Sequence, residues 1–306
     1  MKLLLLGANG QVGWELRRSL APLGELIACD RKLADLSQLQ ALSALVDRHQ
    51  PNVIVNAAAY TAVDQAEQEV EQAFLINAEA VGLLAEKARQ HDSFLVHYST
   101  DYVFDGEKSG AYLESDAVNP QSIYGKSKLK GEQLIAASGC KHLIFRTSWV
   151  FATRGNNFAK TMLKLAAQRD TLQVVADQFG APTSAELIAD VTSLCLQRIL
   201  TLSQQSMMPD ELSETFSGIY HLVAAGEVSW HQYAQYVIEK AISLGFESRI
   251  QPQAVQAIST AEFPRPASRP ANSVMNASKL SRTFDIHLPD WQCYVDRLLE
   301  ELSPQF

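Results

Sequence analysis

The chain has 306 residues, 47% of them hydrophobic and 20% charged, with a formal net charge of −8. This is an ordinary globular composition, long enough for one large domain or two modest ones. The acidic balance argues against a nucleic-acid or anionic-membrane surface as the main partner, and any anionic substrate would need a local basic site. No stretch approaches the roughly 18 apolar residues of a membrane span. The four cysteines, Cys29, Cys140, Cys195 and Cys293, are far apart and lack any CxxC pairing, so a reducing, cytoplasmic setting is expected.

In chain order, "KLLLLG" (2–7) reads as a buried strand, its apolar run being too short for a secretory signal. "ELIACD" (25–30), "NVIVNAAA" (52–59), "FLVHYST" (94–100) and "HLIFRTSWV" (142–150) read the same way. Helix-like segments at 11–21, 37–49, 66–91 and 124–138 fall between or after them. Alternation of strand and helix predicts an α/β fold, a Rossmann-type doubly wound parallel sheet with helices on both faces. After about residue 150 the rhythm loosens, and the Pro-rich "FPRPASRPANS" (263–273) interrupts it. The expected division is a dinucleotide-binding domain over 1–150 and a smaller substrate-binding lobe over 151–306. Some later segments are expected to return to the sheet.

"GANGQVG" places Gly7, Gly10 and Gly13 where the first strand meets the first helix. Glycines there permit a tight turn, close approach to a pyrophosphate and close helix–strand packing, and the helix N-terminus faces the phosphate charge. Asp30 closes the second strand, 23 residues after Gly7, where an acid accepts from ribose hydroxyls and favours NAD. Arg31 beside it would instead attract a 2′-phosphate. The other reading of Asp30 is a strand-end turn acid. Asp35 and Leu36 follow on a loop suited to the adenine edge.

"SIYGKSKLKGE" (122–132) sets Tyr124 four residues before Lys128, so both stand on one helix face. The spacing alone fits a solvated helix surface as well as a phenol paired with a cation.

The strings "GANGQVG", "AAYTAVDQAE", "STDYVFDG", "YGKSKLKGE", "RTSWVF" and "RPANSVMNASKL" run from residue 7 to 280. With them the sequence resembles the extended short-chain dehydrogenase/reductase superfamily, and within it most closely the dTDP-4-dehydrorhamnose reductases. The resemblance implies that Gly10, Gln11 and Val12 contact the cofactor pyrophosphate and that Asp30, Asp35 and Leu36 hold its adenosine end. It implies that Ala58, Ala59 and Tyr60 line the path to the nicotinamide. Thr100, Tyr124 and Lys128 match the catalytic triad, while Trp149 and the Thr100–Asp101 turn match positions that meet the deoxysugar. Met275 departs mildly, standing where leucine is more usual, which puts only local packing in question.

The implied reaction is NAD(P)H-dependent reduction of the 4-keto group of dTDP-6-deoxy-L-lyxo-4-hexulose to dTDP-L-rhamnose. The product would serve cell-surface polysaccharide such as lipopolysaccharide O antigen. Tyr124 would be the general acid, Lys128 would lower its pKa, and Thr100 would share a hydrogen bond at the carbonyl oxygen. Asp30 and Arg31 pull opposite ways, so both NADH and NADPH are expected to serve. Arg265 and Arg269, in a rigid loop of an acidic chain, suit a sugar-nucleotide diphosphate, or else are solvated charges. Trp149 would stack on the sugar or simply fill core. Some reductases of this family form Mg²⁺-bridged homodimers through carboxylates matching Glu15, Glu186 and Asp190. The bland account of Glu186 is its capping-box spacing from Thr183. The seven histidines show no ligand spacing and receive no role.

Two other functions compete. A sugar-nucleotide dehydratase or epimerase shares the fold, but dehydratases follow the threonine with Asp-Glu, and here Thr100-Asp101-Tyr102 stands instead. A non-catalytic dinucleotide-binding subunit would not need Thr100, Tyr124 and Lys128 together.

Overall fold

The computed structural model describes residues 1–204 and 215–303. Six strands form its central sheet: β1 (Lys2–Leu6), β2 (Glu25–Cys29), β3 (Val53–Asn56), β4 (Phe94–Thr100), β5 (His142–Thr147) and β6 (Gly218–His221). All five pairings are parallel, in the spatial order β2-β1-β3-β4-β5-β6. The principal helices are α1 (Gln11–Leu20), α2 (Leu39–His49), α3 (Ala80–Gln90), α4 (Ile123–Ser138), α5 (Phe158–Gln168), α6 (Ala185–Gln204), α7 (Trp230–Ser243) and α8 (Trp291–Leu302).

The leucines of β1 show why the sheet is covered twice. Successive side chains on a strand point to opposite faces. Leu3 and Leu5 enter one core with Leu16 of α1 and Ile188 of α6, while Leu4 and Leu6 enter another with Val46 of α2, Leu84 of α3 and Ile135 of α4. All four leucines are fully buried. A strand buried on both faces needs an unbroken apolar run, and this is the doubly wound α/β sheet the alternation predicts. The order reverses between β1 and β3, so a crevice opens beyond the carboxyl ends of those strands.

Later chain completes this body. β6 extends the sheet beyond β5, and α6 lies against α1, with Ser19 Oγ donating to the Ala189 carbonyl at 2.9 Å and Ser193 Oγ to the Ser19 carbonyl at 2.8 Å. The segment expected as one helix over 66–91 is broken into Val63–Ala66, Val70–Phe74, a wide π turn over Leu75–Glu79, and α3. At that turn Asn77 is buried and bonds both the N–H and the carbonyl of Tyr60, side-chain work that a regular solvated helix would not offer. The strand expected over 142–150 stops at Thr147, because Trp149 takes a left-handed φ of 49°. Val150–Phe151 then pairs with Thr183–Ser184 instead. The Pro-rich loop is pinned to the body by Ser273 N–H donating to the Phe179 carbonyl at 2.7 Å. Met275 is buried beside Val103, Phe104 and Tyr112, so the methionine is accommodated in the core.

Candidate active site

The glycine turn is sterically obligatory. Gly7 sits at φ +78°, and a Cβ there would lie 2.7 Å from the Ala58 nitrogen. A Cβ on Gly13 would lie 2.0 Å from the Gly7 carbonyl oxygen, so Gly13 is the contact that lets α1 approach β1. Gly10 caps α1 without any side-chain hydrogen bond, and the first turn carries no acid. The amides at that end are open to an anion.

A cavity of about 650 Å³ begins at this turn and runs along the strand ends. Gly7, Gly10, Gln11 and Val12 form one end of its wall, with Arg31, Asp35 and Leu36 beside them. Ala58 and Ala59 follow, and Thr100, Asp101, Tyr124, Lys128 and Trp149 complete the wall. Gln11 Oε1, Thr147 Oγ1 and Ser148 Oγ, all on this wall, are buried polar atoms without a partner. Such orphans mark places for a ligand's polar groups. Thr147 and Ser148 carry no motif signal of their own, being two polar residues inside "RTSWVF".

Two expected cofactor residues have protein partners of their own. Asp30, between the wall residues Asn9 and Arg31, accepts from the Lys32 and Leu33 N–H groups at 3.0 and 3.2 Å and from Asn9 Nδ2 at 3.0 Å, the bonds of a strand-end turn acid. Asn77 holds the backbone of Tyr60, whose hydroxyl donates to Glu69 at 2.9 Å. Arg31 is largely exposed and pairs with Asp35 at 3.4 Å, so its charge is partly met within the loop.

Thr100 ends β4 with its Oγ1 donating to Asp101 Oδ1 at 2.9 Å, and its hydroxyl also acts on the Tyr124 phenol, which lines the same wall. Tyr124 and Lys128 lie one turn apart on α4. Burial pushes the Tyr124 phenol up to about 12, the Thr100 hydroxyl pulls it back and the Asp101 charge adds to the rise. The lowering expected from Lys128 is therefore not what dominates. Lys128 is itself buried, with Nζ 2.6 Å from the Tyr98 carbonyl and 3.0 Å from His97 Nε2. Its own pKa falls to about 8, chiefly through burial. His97, one of the histidines without a sequence role, is thus part of the site.

A second cavity, of about 1140 Å³, shares Asp101, Tyr102 and Trp149 with the first. Trp149 stacks on Trp230, ring centroids 3.5 Å apart and 12° from parallel. Gly180 makes that pose possible, since a Cβ there would lie 2.7 Å from Trp149 Cε2. Arg265 and Arg269 both line this cavity. Arg269 pairs with Asp64 at 2.9 Å, and Arg265 lies over the Phe263 ring. Asp101 is buried where the cavities meet, accepting from Thr100 and from Ser273 of the Pro-rich loop. Desolvation pushes its carboxyl up to about 6.

The three carboxylates expected at a metal are taken by guanidiniums. Arg18 meets Asp190 at 2.9 Å and Glu15 at 3.5 Å, and Arg297 meets Glu186 at 3.1 Å. Among the described residues no group of three metal-ligating side chains is placed to hold an ion. The capping spacing from Thr183 is not used either, for Ser184 Oγ accepts the Leu187 N–H at 3.0 Å.

Residues 1–303 match the family described as "RmlD substrate binding domain". The chain is 47% identical to the dTDP-4-dehydrorhamnose reductase of Salmonella typhimurium over 306 residues, covering 99% of this chain and 98% of that one. It is 45% identical to the Burkholderia thailandensis protein of the same name, covering 100% of each. The crystal structure of the Bacillus anthracis dTDP-4-dehydrorhamnose reductase in complex with NADP superposes with a TM-score of 0.84 at 32% identity, covering 98% of this chain and 99% of that one. A glycine turn, a Thr–Tyr–Lys cluster and two cavities meeting beside it, on a chain matched from end to end, place this protein in the dTDP-4-dehydrorhamnose reductase family.

Proposed function

We propose that the protein reduces the 4-keto group of dTDP-6-deoxy-L-lyxo-4-hexulose with NADPH or NADH, giving dTDP-L-rhamnose. The observation that carries this reading is that the cavity walled by Thr100, Tyr124 and Lys128 shares Asp101, Tyr102 and Trp149 with the second cavity. The uncapped α1 amides and the unpaired Gln11, Thr147 and Ser148 atoms fit a dinucleotide in the first cavity. The arginine-lined second cavity fits a nucleotide diphosphate sugar. When bound, the reduced nicotinamide supplies a hydride to carbon 4.

The chain's own residues then manage the oxygen. Tyr124, with its phenol near 12, keeps its proton at neutral pH and gives it only to a strongly basic alkoxide. Thr100, on the same wall, would share that oxygen by turning its hydroxyl from Asp101. Lys128, with a pKa near 8, exchanges a proton near neutrality and supports recovery of the phenol. Trp149, locked against Trp230, offers a flat wall to the sugar.

The crystal structure of the Bacillus anthracis relative contains NADP, which supports NADPH use here. Asp30 beside the first cavity suits NADH, and exposed Arg31 suits a 2′-phosphate. Residues 1–150 with β6 and α6 would carry the dinucleotide, and most of 151–306 the sugar nucleotide. We further propose that the enzyme works in the cytoplasm as a homodimer, feeding polysaccharides such as lipopolysaccharide O antigen. Its free cysteines suit that setting. Magnesium has no step in this reaction, and an ion at Glu15, Glu186 and Asp190 would compete with Arg18 and Arg297.

Mixing purified protein, the ketosugar and either nicotinamide should oxidise the cofactor, with specificity constants for NADPH and NADH within about a hundredfold of each other. No turnover with either cofactor contradicts the function. A wider gap contradicts only the dual use.

A further inference from the structure

Lys128 does not stand alone. Asn56, His97 and Lys128, from β3, β4 and α4, form a chain buried away from solvent beneath the first cavity. We propose that His97 is a positioning residue for Lys128: keyed by Asn56, it presents its Nε2–H to the lysine nitrogen and so sets that side chain's proton count.

Hydrogen-bond accounting fixes each proton. The Ala58 N–H donates to Asn56 Oδ1 at 3.2 Å, which orients the amide; flipping it would set an NH₂ group against an N–H. Asn56 Nδ2 therefore faces His97 Nδ1, 3.2 Å away, as a donor, and Nδ1 carries no hydrogen. A neutral imidazole then keeps its hydrogen on Nε2, pointing at Lys128 Nζ 3.0 Å away. An ammonium has no lone pair to receive it. A neutral amine accepts from Nε2–H, donates to the Tyr98 carbonyl at 2.6 Å, and keeps one N–H for the cavity it lines. Charging Lys128 forces the imidazole hydrogen onto Nδ1, against the Asn56 amide.

The surroundings act in the same direction. Burial holds His97 well below its ordinary value, and the Lys128 charge lowers it further. The titratable groups that act on Lys128 are His97 on β4 and Glu132 on α4, with Tyr124 one turn before it. Glu132 favours the ammonium, but it is itself taken by Arg146 of β5 at 2.7 Å and by Ser99. From β3 only the uncharged Asn56 reaches the chain. Lys128 is thus a proton store that fills and empties near neutral pH, one turn from Tyr124. That use of the proton rests on the reductase reading; the proton count itself does not.

The test is an NMR titration of full-length protein carrying lysine isotope-labelled at Cε, with the Lys128 signal assigned by its loss in Lys128→Met. The parent signal should titrate near 8. His97→Gln, whose side-chain oxygen can accept from an ammonium, should raise the midpoint by at least about half a unit. Asn56→Leu, close in size, removes the amide donor without adding a charge, so Nδ1 can take the hydrogen and Nε2 can accept; it should raise the midpoint too, and it decides the matter if His97→Gln does not fold. An unmoved midpoint in the variant that folds overturns the proposal, because a merely structural histidine would leave it in place. Ketosugar reduction measured on the same parent sample keeps the two readings apart. An inactive parent with a moving midpoint contradicts only the function, and an active parent with a fixed midpoint contradicts only the inference.

Discussion

Asp101 sits almost out of reach of solvent between Thr100 and Ser273, and its carboxyl is raised from the usual 3.8 to about 6. The folded state therefore holds more protons than the unfolded state between those values. The resulting stability is fully present below the lower value and is lost as pH rises through the upper one. Asp101→Asn removes the buried charge and should gain on the parent by on the order of 2 kcal/mol between about pH 4 and about pH 8. Urea unfolding at both pH values measures this, and a difference that stays flat with pH contradicts it. Tyr124→Phe tests the neighbouring group. It keeps the ring and its edge-on contact with Tyr102 and loses only the hydroxyl. Turnover should fall at least about a hundredfold while cofactor titration stays nearly unchanged. A variant retaining more than about a tenth of the parent rate contradicts the general-acid role. At this scale the sequence shows residue types but not side-chain directions. Tyr60 follows an apolar strand toward the cleft, and only the structure shows that Glu69 and Asn77 are its partners. His97 lies in an apolar strand with no partner spacing, and only the packing of three elements brings it to Lys128.

Single elements were legible where local chemistry determines them. The leucine run of β1 and the glycines before α1 leave little choice of conformation, and α4 begins at Ser122, whose hydroxyl accepts from the Gly125 N–H at 3.1 Å. Elements bent by tertiary contacts were not legible. The π turn at Leu75–Glu79 accompanies the burial of Asn77, and the end of β5 follows from the left-handed Trp149. The latter gives a prediction. Gly180→Ala would press a methyl into Trp149, which is already stacked on Trp230. The indole must shift, so KM for the ketosugar should rise about tenfold or more while cofactor affinity is unchanged. Equal losses in both would show that Trp149 does not distinguish the two cavities.

Across the whole molecule, the chain order places the chemistry. The sheet reverses direction between β1 and β3, the cofactor turn lies at that point, and β4 delivers Thr100 and Asp101 beside it. The later chain brings Trp149, Arg265, Arg269 and Ser273 to the far side of the same wall, so two cavities share Asp101, Tyr102 and Trp149. The doubly wound core follows from the alternation of apolar runs, whereas the meeting of Asp101 and Ser273 depends on contacts that no local pattern encodes. The arrangement commits the account to one bond-forming event: hydride passing from the nicotinamide to carbon 4 of a dTDP-ketosugar at the Tyr124 wall. NADPH deuterated at the transferable position of its nicotinamide, incubated with the protein and dTDP-6-deoxy-L-lyxo-4-hexulose, tests this directly by NMR of the product. The account predicts deuterium at carbon 4 of dTDP-L-rhamnose in a one-to-one ratio with cofactor oxidised. Oxidation of the cofactor with no deuterium at that carbon, or a sugar product unchanged at carbon 4, would contradict it.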